Sequence, residues 1–183
     1  DKTSMKSVIR RVYSWIFLCL LPAIILRLLA KSLKQPLYRR YMAERFGYVH
    51  SYRTDSIWIH AVSVGEIKVA FLLIRQMRSR CRNIDPAIKP DTKIVLSCTT
   101  AAGRKLAMSH LCDDQNIVIH YLPFDLDTFV RRFVQNIRPR LLLIIETELW
   151  PNLLYLLQQQ DIPVLLLNNS LRQMVSILDQ PNF

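Results

Sequence analysis

The stretch IWIHAVSVGEIKVA (57–70) holds the first side chain able to do chemistry. It reads as a strand running into a helix, with Glu66 in the first turn of the helix directly after Gly65. A carboxylate there could accept a proton from a bound hydroxyl and act as a general base. It could equally serve the helix alone, because an acid in the first turn interacts favourably with the macrodipole by about 0.3–1 kcal/mol. Gly65 either lets a ligand approach the backbone closely or supplies an angle that side chains disfavour. A second pair of acids, Glu146 and Glu148, brackets Thr147 at the end of the apolar run RLLLIIE (140–146). Two acids can divide acid and base roles, but at i, i+2 they share a face only if the strand continues. Glu148 could instead cap a helix with Pro151 in its first turn. Around these acids stand Ser63, Thr99 and Thr100, with the threonines placed to touch a ligand or to cap a helix. Gly103 and Arg104 lie just inside another helix start, where an anion is readily held. Trp150 could pack on a sheet or cover a sugar ring. The candidate set is therefore Glu66 as base, with Ser63, Gly65, Thr99, Thr100, Gly103, Arg104, Glu146, Glu148 and Trp150 around a substrate.

Other chemistries are poorly provided for. Three isolated glycines cannot build a P-loop, a dinucleotide fingerprint or a nucleophile elbow. The cysteines Cys19, Cys81, Cys98 and Cys112 form no C-x-x-C pair, and the four histidines add no ligand spacing, so no metal site is expected. Scattered cysteines in an apolar chain read as reduced core residues facing the cytosol, not as a disulfide framework.

The candidates need elements to bring them together. From residue 55 onward β-rich apolar runs alternate with helical patterns: IWIHAV (57–62), TKIVLSC (92–98), NIVIHYL (116–122), RLLLIIE (140–146) and PVLLLN (163–168) as strands, with helices near 66–80, 101–111, 125–137 and 151–160 between them. Five strands alternating with four helices predict an α/β fold, a parallel sheet covered on both faces. Right-handed crossovers would gather the strand C-termini along one edge, the edge at which open α/β sheets bind ligands. Every candidate above lies on that edge, while Pro139 and Pro163 mark the opposite strand ends.

The net charge of +11 is concentrated at the N-terminus, where residues 1–54 hold eleven Lys and Arg against Asp1 and Glu44. Inside that region VYSWIFLCLLPAIIL (12–26) is uncharged and apolar, flanked by Arg10, Arg11 and Arg27. The basic, aromatic tail RLLAKSLKQPLYRRY suits anionic headgroups, each cation adding on the order of 1 kcal/mol at the surface. A signal peptide would share the apolar run, but no small-x-small cleavage pattern follows. The reading is an uncleaved membrane anchor over 1–34, spanning or monotopic, preferred over a buried helix, then a basic linker over 35–54 and a Rossmann-like domain over 55–170. A nucleic-acid partner is not expected, because the cations surround an apolar run instead of lining a soluble face.

Several strings together resemble one family, the Kdo (3-deoxy-D-manno-octulosonic acid) transferases of lipopolysaccharide assembly: LYRRYMAERFGYV (37–49), HAVSVGE within 57–70, YLPFDLDTFVRRFVQNIRPRLLLIIETELWPNLL (121–154) and IPVLLLNNSL (162–171). The resemblance implies the N-terminal, Rossmann-like half of a GT-B glycosyltransferase. Such an enzyme would transfer Kdo from CMP-Kdo to a lipid A precursor at the cytoplasmic face of the bacterial inner membrane, without cofactor or catalytic metal. It aligns Glu66 with the family's base and Glu146 and Glu148 with positions lining the same cleft. Two departures accompany it: Ser170 stands where the family carries an arginine, and the tail 171–183 is not followed by the second, nucleotide-holding half. A non-catalytic, membrane-tethered lipid-binding module is the alternative expectation.

Overall fold

The computed structural model describes residues 2–52, 54–81, 92–111, 114–145, 148 and 150–167. Glu146, Ser170 and the tail 171–183 lie outside the described residues. A long helix α1 (Lys2–Ser32) is followed by a short helix α2 (Leu37–Arg40) and a 3-10 turn (Met42–Phe46). Then come β1 (Ser56–Ala61), α3 (Val64–Cys81), β2 (Lys93–Cys98), α4 (Ala101–Leu111), β3 (Ile117–Tyr121), α5 (Asp127–Ile137), β4 (Pro139–Ile145), α6 (Pro151–Gln159) and β5 (Val164–Leu167). The five strands pair in parallel in the order β3-β2-β1-β4-β5. This is the expected α/β sheet, with element bounds within about two residues of those predicted.

The sheet is covered on both faces because its strands are apolar on both. Ile57, Ile59 and Ala61 of β1 pack with Ile67, Ala70 and Ile74 of α3 and Ala107 of α4 on one side. Trp58, Leu142 and Ile144 pack with Val130, Phe133 and Ile137 of α5 and Leu153 and Leu157 of α6 on the other. The order reverses between β1 and β4, since the chain first winds outward to β3 and then returns to β4. A crevice at the strand C-termini opens at such a reversal, and ligands bind there.

The 35–54 segment is not a linker. Tyr38, Glu44 and Arg45 are buried, and the 3-10 turn packs against α5 and β3. Glu44 faces the open edge of β3, where one set of backbone groups has no neighbouring strand. Its Oε2 accepts the Tyr121 amide at 2.7 Å, and Arg104 Nη2 gives 3.0 Å bonds to both Glu44 Oε1 and the Ile119 carbonyl. Arg104 Nη1 also donates to Glu44 Oε2, and His120 Nδ1 lies 3.1 Å from Oε1. The ion pair thus does for β3 what a sixth strand would do, which also blocks that edge against pairing with another chain. Burial by itself would raise the Glu44 pKa, but the hydrogen bonds from His120 and Arg104, with the arginine's charge, outweigh it and hold the carboxyl below its ordinary value.

Gly47 ends the 3-10 turn in the left-handed region, at φ 80°. A Cβ built there would stand 2.3 Å from the Phe129 carbonyl oxygen, a backbone atom that cannot step aside. Gly47→Ala is therefore expected to cost more than about 1 kcal/mol of stability, from φ strain and the contact together. Urea denaturation of this variant against the wild type measures it.

α1 is also less separate than an anchor need be. Val8–Ser32 is long and apolar enough to cross a membrane by length and composition, yet one flank is docked on the body. Arg10 Nη1 donates to Asn152 Oδ1 at 3.1 Å, and its guanidinium lies 4.0 Å above the Tyr155 ring. Asn152 Nδ2 donates to Ser14 Oγ at 3.0 Å, Tyr13 donates to Asp125, and Phe17 lies against Phe124. The other flank, including Val12, Trp15, Ile16 and Leu20, is exposed.

Candidate functional site

The C-terminal edge is assembled from three strand ends around the reversal. At the end of β1 the chain reads Val62-Ser63-Val64-Gly65-Glu66, and Ser63 with Glu66 forms a capping-box arrangement at the start of α3. Glu66 Oε1 accepts from Ser63 Oγ at 2.6 Å, and Oε2 accepts from the Val62 amide at 2.6 Å. The residue is buried. The helix-serving reading of Glu66 is thus realised in the geometry, and it does not exhaust the carboxylate. Each oxygen accepts one of these bonds and keeps a further lone pair. Gly65 is exposed and helical, so it needs no special angle, and its missing side chain leaves the approach to the first turn open.

At the end of β2, Thr100 caps α4. Its Oγ1 accepts the Gly103 amide and lies 3.1 Å from the Val62 carbonyl, stitching this strand end to the previous one. Thr99 Oγ1 reaches the same carbonyl at 3.5 Å. Gly103 is buried: a Cβ there would lie 2.9 Å from Thr100 Oγ1 and 3.5 Å from Ile67, so the close approach it permits is between α4 and its own neighbours. Arg104, expected at the edge, points into the interior and is held by Glu44 and the Ile119 carbonyl. The cation found beside Thr99 at the edge is one that sequence reasoning passed over.

That cation is Arg45. It is buried, gives one bond at 2.7 Å to the Thr99 carbonyl, and lies over the rings of Tyr121 and Phe124. Burial lowers its pKa from the usual arginine value, and among the described residues no carboxylate stands at ion-pairing distance. Arg45 lines a cavity of about 280 Å³ with Lys31, Thr99, Thr100 and Trp150, to which Phe17, Ile24 and Leu28 of α1 add apolar lining. Two donors on these lining residues, Arg45 Nε and Trp150 Nε1, are buried without a partner. A cavity lined by a guanidinium, an ammonium and two threonines suits an anionic group, and its apolar wall suits a hydrocarbon chain beside that group. In the sequence Arg45 stands out only as one cation of the basic N-terminal region and as part of the family-like string LYRRYMAERFGYV (37–49).

At the end of β4, Glu148 is partly exposed and approaches His60 of β1. The expected cap of α6 is not Glu148 but Asp125, whose two carboxylate oxygens accept the amides of Asn152 and Leu153 at 3.0 and 2.9 Å. Burial raises the Asp125 pKa, and those two amides oppose the shift. Trp150 packs against the α5–α6 core cluster and also lines the cavity. The edge therefore brings Ser63, Gly65, Glu66, Thr99, Thr100, Glu148 and Trp150 to one side of the sheet, and it leaves Gly103 and Arg104 as packing and ion-pair residues.

A family model described as 3-deoxy-D-manno-octulosonic-acid transferase (kdotransferase) matches residues 40–175. Among curated proteins, a 3-deoxy-D-manno-octulosonic acid transferase of Haemophilus influenzae is 32% identical over 162 residues, 87% of this chain and 36% of that protein. One of Rickettsia felis is 36% identical over 102 residues, 55% of this chain and 20% of its own length. A bifunctional glycosyltransferase/methyltransferase of Fusobacterium nucleatum is 27% identical over 150 residues, 76% of this chain and 22% of its own length. The chain thus spans about a third or less of the length of these relatives.

Proposed function

The chain belongs to the 3-deoxy-D-manno-octulosonic acid transferase family, and from that premise we propose that it is the acceptor-binding, base-supplying part of an enzyme moving Kdo from CMP-Kdo to a lipid A precursor. An acceptor hydroxyl attacks the anomeric carbon of Kdo, CMP departs with the bonding electron pair, and Glu66 takes the hydroxyl proton. The nucleotide is held by sequence outside this segment. The observation that carries the reading is a juxtaposition at one corner of the sheet. Glu66 hangs from the Val62 amide, and the Val62 carbonyl faces Thr99 and Thr100, which line the donor-rich cavity walled by α1. An acceptor that is anionic, acylated and hydroxylated matches these three features in turn.

The same geometry bears on where the enzyme works. α1 is docked along one flank and presents Val12, Trp15 and Ile16 on the other, the division expected of a helix lying in a membrane surface with its free side in the acyl region. Arg11, Arg27, Lys31 and Lys34 would then meet anionic headgroups, holding the edge at the depth of a lipid-borne substrate. The proposed setting is the cytoplasmic face of the bacterial inner membrane.

A transfer assay with CMP-Kdo and a lipid A precursor tests the proposal, comparing this segment with a full-length transferase that carries it. The expected result is binding of the precursor by both and transfer by the full-length protein. Failure of the full-length protein to transfer Kdo, with its folding intact, would overturn the reading.

A further inference from the structure

Trp58 and His60 alternate with the residues facing α3 and α4, so they share the side of the sheet toward α5 and α6. His60 stands in register with Ser97 of β2. Trp58 Nε1 donates to Ser97 Oγ at 2.7 Å, and Ser97 Oγ lies 2.9 Å from His60 Nδ1. All three residues are 0% exposed. On the far side of the imidazole, His60 Nε2 is 3.6 Å from Glu148 Oε2, and both atoms are buried without a hydrogen-bond partner.

His60 Nδ1 also lies 3.2 Å from the Ser97 carbonyl, which would accept an Nδ1–H, so the Ser97 hydroxyl on one side and Glu148 on the other together decide between the tautomers. An indole N–H can only donate, so Ser97 Oγ accepts from Trp58 and retains its own proton to give. Given to His60 Nδ1, that proton leaves the ring N–H on Nε2, directed at Glu148. The opposite tautomer would aim a bare nitrogen lone pair at a carboxylate oxygen. A doubly protonated ring would again present Nε2–H to Glu148. At 3.6 Å the contact is just beyond hydrogen-bond range, so a small swing of the glutamate closes it. Oε2 is the inward oxygen, while the side chain as a whole is 35% exposed toward the edge. Burying three polar groups in a sheet core is costly unless they are mutually satisfied, and here the row ends on a carboxylate at the crevice beside β1.

We propose that His60 is a positioning residue for the transfer reaction: its Nε2–H, favoured by the Ser97 hydroxyl on one side and the Glu148 carboxylate on the other, orients Glu148 so that the outer oxygen can receive a substrate hydroxyl. The inference rests on reading this edge as the transfer site, and it assigns to Glu148 a fixed orientation that Glu66 obtains from its cap.

Two measurements separate its failure from failure of that reading. The first is ¹⁵N NMR of the histidine rings in the full chain, which reports the tautomer without any substrate. His60 is expected to carry its proton on Nε2, and Ser97→Ala and Trp58→Phe are each expected to admit the Nδ1–H form. A wild-type ring protonated on Nδ1 alone, or one indifferent to both substitutions, overturns the proposal whatever the enzyme does. The second is kinetics in the full-length transferase. His60→Asn places its amide near Nδ1 and leaves Glu148 unmet, and it is expected to lower kcat on the order of 10²-fold through misplacement. His60→Gln can set an N–H near Nε2 and is expected to restore most of that loss. In the Glu148→Gln background the His60→Asn change should add little further loss, because the two act as a unit. Equal losses in His60→Asn and His60→Gln that follow their melting temperatures, or full additivity with Glu148→Gln, would make His60 a packing residue only.

Discussion

Glu66→Gln in a full-length transferase carrying this segment is expected to lower kcat for Kdo transfer by roughly 10²–10⁴-fold, the usual worth of a general base, with only a small fall in melting temperature from the lost charge at the helix start. Glutamine is the informative substitution because of the cap. Its carbonyl can still accept the Val62 amide, its amide can still meet Ser63 Oγ, and Gln is as much a capping-box residue as Glu. What it lacks is a lone pair able to take up a proton. Glu66→Ala would remove the base and the cap together, and a lost cap costs about 1 kcal/mol, so a fall in activity there would not identify its cause. Binding of the lipid precursor by the Gln variant should stay near the wild-type level, since proton transfer belongs to the transition state and not to the ground state. Stopped-flow or discontinuous assay of CMP release, alongside thermal melting, measures both quantities. Normal turnover by Glu66→Gln would reduce the residue to its helix-end role.

The parts of this site that were legible in the sequence are those whose partners are close in the chain. Strand runs, the helix after HAVSVG and the threonines before α4 all declare themselves locally, and Ser63 and Glu66 complete each other within four residues. Position on the sheet edge followed too, because alternation of strands and helices fixes which strand ends face the ligand. What stayed hidden depends on distant pairing. Glu44 looks like a lone acid in a basic run until Arg104, His120 and Tyr121 come beside it, sixty to seventy-seven residues further on. Arg104 was placed at a helix start, yet the direction of its side chain was settled by that same acid. His60 reads as one more residue of a buried strand. Its row with Ser97 and Glu148 exists only once β1 lies between β2 and β4, and no local pattern announces a strand order. The charge of the first 54 residues misled in another way: read as one basic, headgroup-facing region, it concealed two buried ions, Glu44 and Arg45, in the 3-10 turn beyond α1.

Glu44→Ala is expected to destabilise the domain by about 3–5 kcal/mol, the cost of removing one partner from a buried ion pair, which is a large share of the roughly 5–15 kcal/mol available to a domain. The substitution strands more than a charge. Arg104 would remain buried as an uncompensated cation, the Tyr121 amide would lose its acceptor, and His120 would keep only its 2.9 Å contact with Tyr52. Because β3 is an edge strand, its freed backbone groups would also be open to pairing with another chain, so aggregation on heating should accompany the lower midpoint. Urea denaturation in the presence of detergent measures the first effect and light scattering the second. The double replacement Glu44→Gln with Arg104→Met is expected to recover part of the loss, since it removes the unpaired charge even though it does not restore the bonds. The acid dependence gives an independent reading. A carboxyl held below its ordinary value contributes stability that is complete above the unfolded-state pKa of about 4.3 and is lost as the pH falls through the lower folded value. The wild type should therefore lose stability steeply below about pH 4.3, and Glu44→Gln, with no proton to take up there, should lose it less steeply. Equal slopes in the two proteins would mean that the edge of β3 is held by packing and not by this ion pair.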